Sequence, residues 1–123
     1  SAQAASSAPA AAGAPVDVTI GKPSEMSLVP ATTFLKAGTI TFHVVNQGTV
    51  LHEVVMVPAP NGLAALKQPD GSADEGGSLG EAADIAPGAS KDFTVDAKPG
   101  QYALLCNQPG HFAAGMATLV TVS

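Results

Sequence analysis

The chain has no arginine, one cysteine, three histidines and no run of 18 apolar residues. Each shortage closes a class. A surface that binds nucleic acid needs clustered Lys or Arg, and here five lysines are outnumbered by ten acidic residues, for a net charge of −5. Nothing is long and apolar enough to span a bilayer as a helix. There is no charged n-region followed by an apolar h-region, so any signal peptide is either already removed or outside this stretch. One cysteine cannot close an intrachain disulfide. The apolar fraction of 46% overstates the core, because alanine supplies much of it. The 123 residues suit one domain with one core.

Residues 1–15 read SAQAASSAPAAAGAP, eight of the fifteen being alanine. The segment has no charge and no large side chain, so it has little to bury against the entropy of ordering. It is expected to be a flexible tail or linker, with the domain over residues 16–123. A tether to a membrane anchor or a preceding domain would use such a segment.

From Val16 the pattern becomes short β runs divided by turn residues. Strands are expected at 16–20, 26–29 (continued by 34–35), 39–46, 51–57, 91–95, 101–106 and 116–122. In 39–46, Ile40, Phe42 and Val44 alternate with Thr41 and His43, which buries one face and wets the other. Run 51–57 is almost continuously apolar, as in a well-buried strand. Residues 58–90 are rich in Pro, Gly and Asp and read as one long loop over an end of the sheet, with a short helix at 63–68. Pro87-Gly88 and Pro99-Gly100 read as turns between antiparallel strands. Seven to eight short strands without a strong helix predict an all-β, Greek-key β-sandwich.

The chemistry concentrates in Cys106-Asn-Gln-Pro-Gly-His111-Phe-Ala-Ala-Gly-Met116. Cys106 ends a strand and Met116 begins the next, so the nine residues between them form a loop at one pole. Pro109-Gly110 bends it, and Gly115 is expected to let the backbone pass closely beside Met116. A loop this short brings Cys106, His111 and Met116 together. His52, in Val50-Leu-His-Glu-Val-Val, shares a side with Val54 and Met56 by strand alternation and points inward beneath the loop. A thiolate, two imidazoles and a weak thioether form the donor set of a one-electron copper site. Structural zinc sites use more than one cysteine and rarely methionine. His43 falls on the wet face of its strand, and Met26 and Met56 read as core filler.

The C-x4-H-x4-M run with His52 upstream resembles the cupredoxin (type 1 blue copper) family. Its loop spacing is similar to the rusticyanin, auracyanin and sulfocyanin type. Lys36-Ala-Gly38, Asn46-Gln-Gly48 and Lys98-Pro-Gly-Gln-Tyr102 match that family's turns, and the likeness covers residues 16–123. The resemblance implies a cupredoxin-like sandwich that carries single electrons outside the cytoplasm, in the periplasm or on the outer face of the cell membrane. It makes His52, Cys106, His111 and Met116 the ligands of one copper ion. Many relatives carry Asn after the first histidine, where this chain has Glu53. A Glu53–Asn107 contact is expected to replace the tie between the two ligand loops, and an ionised Glu53 would lower the potential.

Redox partners, such as a cytochrome or an oxidase, are expected to dock on a small apolar patch around His111 formed by Pro109, Phe112, Ala113 and Ala114. A copper enzyme would need a further histidine-rich centre, and one remaining histidine cannot build it. Copper storage, sensing or delivery is the competing function. The chain is expected to be a monomer.

Overall fold

The computed structural model describes residues 14–123. The expected tail, apart from Ala14 and Pro15, lies outside the described residues. Among the described residues nine strands follow in order: β1 (Val16–Ile20), β2 (Leu28–Pro30), β3 (Phe34–Leu35), β4 (Gly38–Asn46), β5 (His52–Pro58), β6 (Gly80–Ile85), β7 (Ser90–Ala97), β8 (Gly100–Leu105) and β9 (Ala117–Val122). They form a β-sandwich of a four-stranded sheet, β2-β1-β4-β7, and a five-stranded sheet, β3-β9-β8-β5-β6.

The four-stranded sheet is built on β4. It pairs in parallel with β1, from Val16 opposite Phe42 to Ile20 opposite Asn46, and antiparallel with β7. The alternation along β4 is as expected, with Ile40, Phe42 and Val44 buried and Thr41 and His43 on the outer face. Phe42 sits opposite Phe93, and the two rings stack with centroids 5.0 Å apart.

In the five-stranded sheet, β8 is central, antiparallel to both β9 and β5. Strand β5 is apolar from Val54 to Val57 because both of its faces are covered there. Val54 and Met56 enter the main core between the sheets, with Val18, Phe42, Ile85 and Leu104. Val55 and Val57 enter a second cluster with Ala73, Ala103, Leu105 and Phe112, packed beneath Leu63 and Leu66. The segment after β5 therefore lies over the outer face of the five-stranded sheet rather than over one end of it. It carries a single 3-10 turn, Ala64–Leu66.

Three expectations change. Residues 58–90 are not one loop, since they contain β6, an edge strand paired with β5. Its sequence, GEAADI, has little apolar alternation, and pairing with β5 rather than propensity makes it a strand. Phe34–Leu35 does not continue the preceding strand. It joins the other sheet, parallel to β9, and leaves Phe34 73% exposed. Pro87-Gly88 and Pro99-Gly100 turn the chain, but each turn joins strands of different sheets, β6 to β7 and β7 to β8, and so crosses between the layers.

One irregularity bears on the site. Opposite His52–Val54, strand β6 runs from Ile85 to Ala82, three steps against two. The extra residue makes a bulge in which Asp84 takes φ +53°, and Lys91 Nζ caps the Ala83 carbonyl at 2.6 Å. Bulges bend a strand and re-aim its side chains. This one lies at the position where His52 leaves the regular ladder.

Candidate metal centre

After β8 the chain winds through residues 107–115 in successive turns. His111 N–H donates to Gln108 O (2.9 Å), Ala114 N–H to His111 O (3.1 Å) and Gly115 N–H to Phe112 O (2.9 Å). Two further bonds join the sequence-predicted ligands through their backbones. Cys106 N–H donates to Met116 O at 3.0 Å, and Met116 N–H donates to His111 O at 3.1 Å. Gly115 is needed for its φ of +96° rather than for close packing, because a Cβ there would meet open space. Phe112 anchors the loop. It is only 8% exposed and packs in the second cluster with Leu105 and Val55, so it does not join the surface patch. Pro109, Ala113 and Ala114 are exposed, and His111 is partly exposed between them.

The loop and β5 bring three donors together. His52 Nδ1 and His111 Nδ1 are 3.2 Å apart, Cys106 Sγ is 3.3 Å from His111 Nδ1, and it is 3.9 Å from His52 Nδ1. Cys106 and His52 are fully buried. Met116 is fully buried in the same core cluster as Cys106. The donor set fits a first-row metal ion. Bonds of about 2.0–2.3 Å to two imidazoles and a thiolate in one plane separate the donor atoms by about 3.5–3.8 Å, and the observed spacings bracket that range. Thiolate and thioether with imidazole is a soft set that suits copper in both oxidation states.

Burial pushes the Cys106 thiol above its ordinary range, against backbone N–H groups that favour the thiolate. Burial and the neighbouring His52 push the His111 imidazole down. Both shifts keep the donors uncharged, so binding a metal ion releases the thiol proton and is favoured as pH rises.

Glu53 N–H points at Cys106 Sγ from 3.5 Å. The expected tie between Glu53 and Asn107 runs through the Asn107 backbone N–H, which favours the Glu53 carboxylate, and not through the Asn107 side chain. The Asn107 side chain bridges to the covering segment, accepting from Ala73 N–H (2.8 Å) and donating to Ala73 O (3.0 Å) and Glu75 Oε2 (2.7 Å). Glu53 Oε1 also accepts from Gln108 Nε2 at 3.3 Å. Burial, followed by the nearby Glu75 and Glu81 carboxylates, raises the Glu53 pKa, while the Asn107 backbone N–H opposes the rise. His43 lies away from the site on the outer face of the other sheet and bonds Asp92.

Two residues of the site were not read from the sequence. Glu25, between β1 and β2, places Oε2 2.6 Å from His52 Nε2. Asn46, fully buried at the end of β4, donates to Val50 O and Ile85 O (2.9 Å each) and accepts from Gly48 N–H (2.9 Å), fixing the turn that leads to His52. Asn46 was visible only as a turn residue. Glu25 lies 27 positions from its partner, with no spacing signal to connect them.

A family model described as copper binding proteins of the plastocyanin/azurin family matches residues 14–123. No curated protein sequence matches the chain. Among solved structures, the chain is similar to dithionite-reduced auracyanin from the photosynthetic bacterium Roseiflexus castenholzii, with 26% identity over 92% of this chain and 99% of that one and a TM-score of 0.68. Auracyanin B gives 27% identity, coverage of 89% and 88%, and a TM-score of 0.67. Reduced rusticyanin, at 18% identity, shares the fold over 89% of this chain and 79% of its own, with a TM-score of 0.61.

Proposed function

The chain belongs to the plastocyanin/azurin family of copper binding proteins, and we propose that it carries single electrons between redox partners through one type 1 copper, held by His52, Cys106, His111 and Met116. Bound copper supplies the Cu(I)/Cu(II) couple. The observation that carries the reading is the convergence of His52 Nδ1, His111 Nδ1 and Cys106 Sγ within 3.9 Å, two of the three residues fully buried.

The remaining work falls to the protein. Backbone bonds among Cys106, His111 and Met116 fix the loop, which would limit rearrangement of the donors between the two oxidation states. Burial of Cys106, His52 and Met116 keeps water from the thiolate. His111 alone of the four reaches the surface, between Pro109, Ala113 and Ala114. A partner docking on that small patch would exchange electrons through its ring, and small interfaces suit such transient encounters. The chain is a carrier and not an enzyme, since two of its three histidines lie in the centre and the third lies on the other sheet. We place it outside the cytoplasm, as its family resemblance implies.

The test is an absorption spectrum after adding Cu(II), and again after ascorbate, for the wild type and Cys106→Ser. The wild type should show a strong thiolate-to-copper band near about 600 nm that ascorbate bleaches, and Cys106→Ser should show none. A colourless wild type whose Cys106 still titrates as a free thiol would overturn the proposal. Rapid loss of the metal to a modest chelator would favour copper delivery instead.

A further inference from the structure

We propose that Glu25 is a positioning residue of the metal centre, receiving the Nε2–H of His52 so that the ring presents Nδ1 to Cys106 and His111, and tying the β1–β2 segment to the turn before β5. The proposal deepens the copper reading above and rests on it.

Three observations support this role. First, the Glu25 carboxylate meets donors on both oxygens. Oε1 accepts from Thr49 N–H (2.9 Å) and Thr49 Oγ1–H (2.8 Å), while Oε2 accepts from Thr49 N–H (3.1 Å) and lies 2.6 Å from His52 Nε2. Val50 N–H also faces Oε2, at 3.4 Å. The backbone N–H groups can only donate, so both oxygens act as acceptors, and Nε2 is the protonated ring nitrogen. That leaves the lone pair on Nδ1, the atom 3.2 Å from His111 Nδ1. Second, the carboxylate sits in a place shaped for it. A methyl group on Gly48 would overlap the Glu25 carboxylate, and one on Gly21 would overlap the Gly48 backbone, so the two glycines let the segments close together. Third, His52 is fully buried while the Glu25 side chain is 30% exposed, so the charge sits at the rim and only the imidazole enters the core.

A carboxylate on the far nitrogen of a ligating imidazole fixes its tautomer and makes it more basic. The added negative charge favours the dipositive over the monopositive ion, which lowers the reduction potential. Glutamine keeps the acceptor for His52, while Thr49 N–H loses its 2.9 Å acceptor and keeps only the oxygen at 3.1 Å. With its amide nitrogen turned to Thr49 Oγ1, Oε1 still accepts from His52 while the charge is lost. Alanine removes both charge and acceptor.

The experiment uses the full chain, metal-free and copper-loaded, as wild type, Glu25→Gln and Glu25→Ala. In the metal-free protein, long-range 15N NMR of His52 should show the Nε2–H tautomer for the wild type and Glu25→Gln, and a tautomer mixture for Glu25→Ala. In the loaded protein, Cu(II) affinity should fall about 10–100-fold in Glu25→Ala, with Cu(I) affinity falling less. Each tenfold excess loss of Cu(II) affinity raises the potential by about 59 mV. Glu25→Gln should share the rise in potential while keeping the tautomer. A folded Glu25→Ala that retains the Nε2–H tautomer and wild-type affinities for both ions would overturn the proposal. If Glu25→Ala does not fold, an unchanged potential in Glu25→Gln would do so. Failure of the copper reading shows separately, as a wild type without the thiolate band, and leaves the tautomer result standing.

Discussion

The two sides of the metal centre are held in different ways. On the loop side, Cys106, His111 and Met116 lie within eleven residues and are joined by their own backbone bonds. On the strand side, His52 is set by Glu25, 27 positions earlier, by the turn that Asn46 closes and by the bulge at Asp84 in the neighbouring strand. One side is a local structure that carries its own ligands. The other is an assembly of distant segments around a single ring. The loop side should therefore depend on its anchor in the second core cluster, and the strand side on polar groups that no short segment contains.

The largest expected effect breaks the loop side. Phe112 is the loop's buried apolar anchor against Leu105 and Val55. Phe112→Ala should cost about 3–5 kcal/mol, the usual range for truncating a buried phenylalanine, measured by urea unfolding of the metal-free protein. Amide exchange should accelerate at His111 and Met116 while Thr49 and Val50 keep wild-type rates. Equal loosening on both sides would mean that the loop and the strand side open as one unit.

The same contrast sets what could be read from the sequence. Loop residues were legible because ligand spacing and the Pro109-Gly110 bend are local properties of the chain. Strand β4 was legible from the alternation of Ile40, Phe42 and Val44, and β5 from its continuous apolar run. Strand β6 was not, because GEAADI becomes a strand only by pairing with β5. Phe34–Leu35 reads as a continuation of the preceding strand because a two-residue strand has no pattern of its own. Phe112 reads as a surface residue because its position beside His111 says nothing about the cluster beneath it. Glu25 was invisible because one charged residue in a turn carries no sign of a partner 27 positions on, in the other sheet. The Asn107 side chain went to Ala73 and Glu75, and these lie in a segment whose path over the sheet could not be derived from its composition.

A smaller effect belongs to the strand side. Asn46→Ala would orphan Val50 O, Ile85 O and Gly48 N–H, one of these bonds being fully buried. Leaving such groups without partners should cost about 2–4 kcal/mol in total. Here the exchange pattern should reverse, with Gly48 and Val50 opening and Met116 keeping its protection. If Met116 opened as well, the two sides would form one cooperative unit rather than two.

The smallest expected effect is a change in the response to acid, and it centres on Glu25. The Thr49 backbone N–H and hydroxyl, then His52, hold the Glu25 carboxyl at about 2, below an ordinary 4.5. Because the folded-state value is the lower one, the carboxylate's contribution to stability is fully present above pH 4.5 and is lost as pH falls toward 2. Asp70, lowered by Ser72, drifts in the same direction, and Glu53, raised by burial, in the opposite one. The wild-type curve alone therefore mixes several groups. The difference between the wild type and Glu25→Gln cancels Asp70 and Glu53, which both proteins keep, and leaves Glu25 together with the His111 imidazole that its charge holds up. Urea midpoints of the two metal-free proteins should converge as pH drops through this window, with the wild type the more stable above it. Parallel curves would mean that the Thr49 and His52 contacts contribute no net stability. The support on the strand side would then be geometric rather than electrostatic, and the contrast with the self-bonded loop would narrow to where the contacts lie.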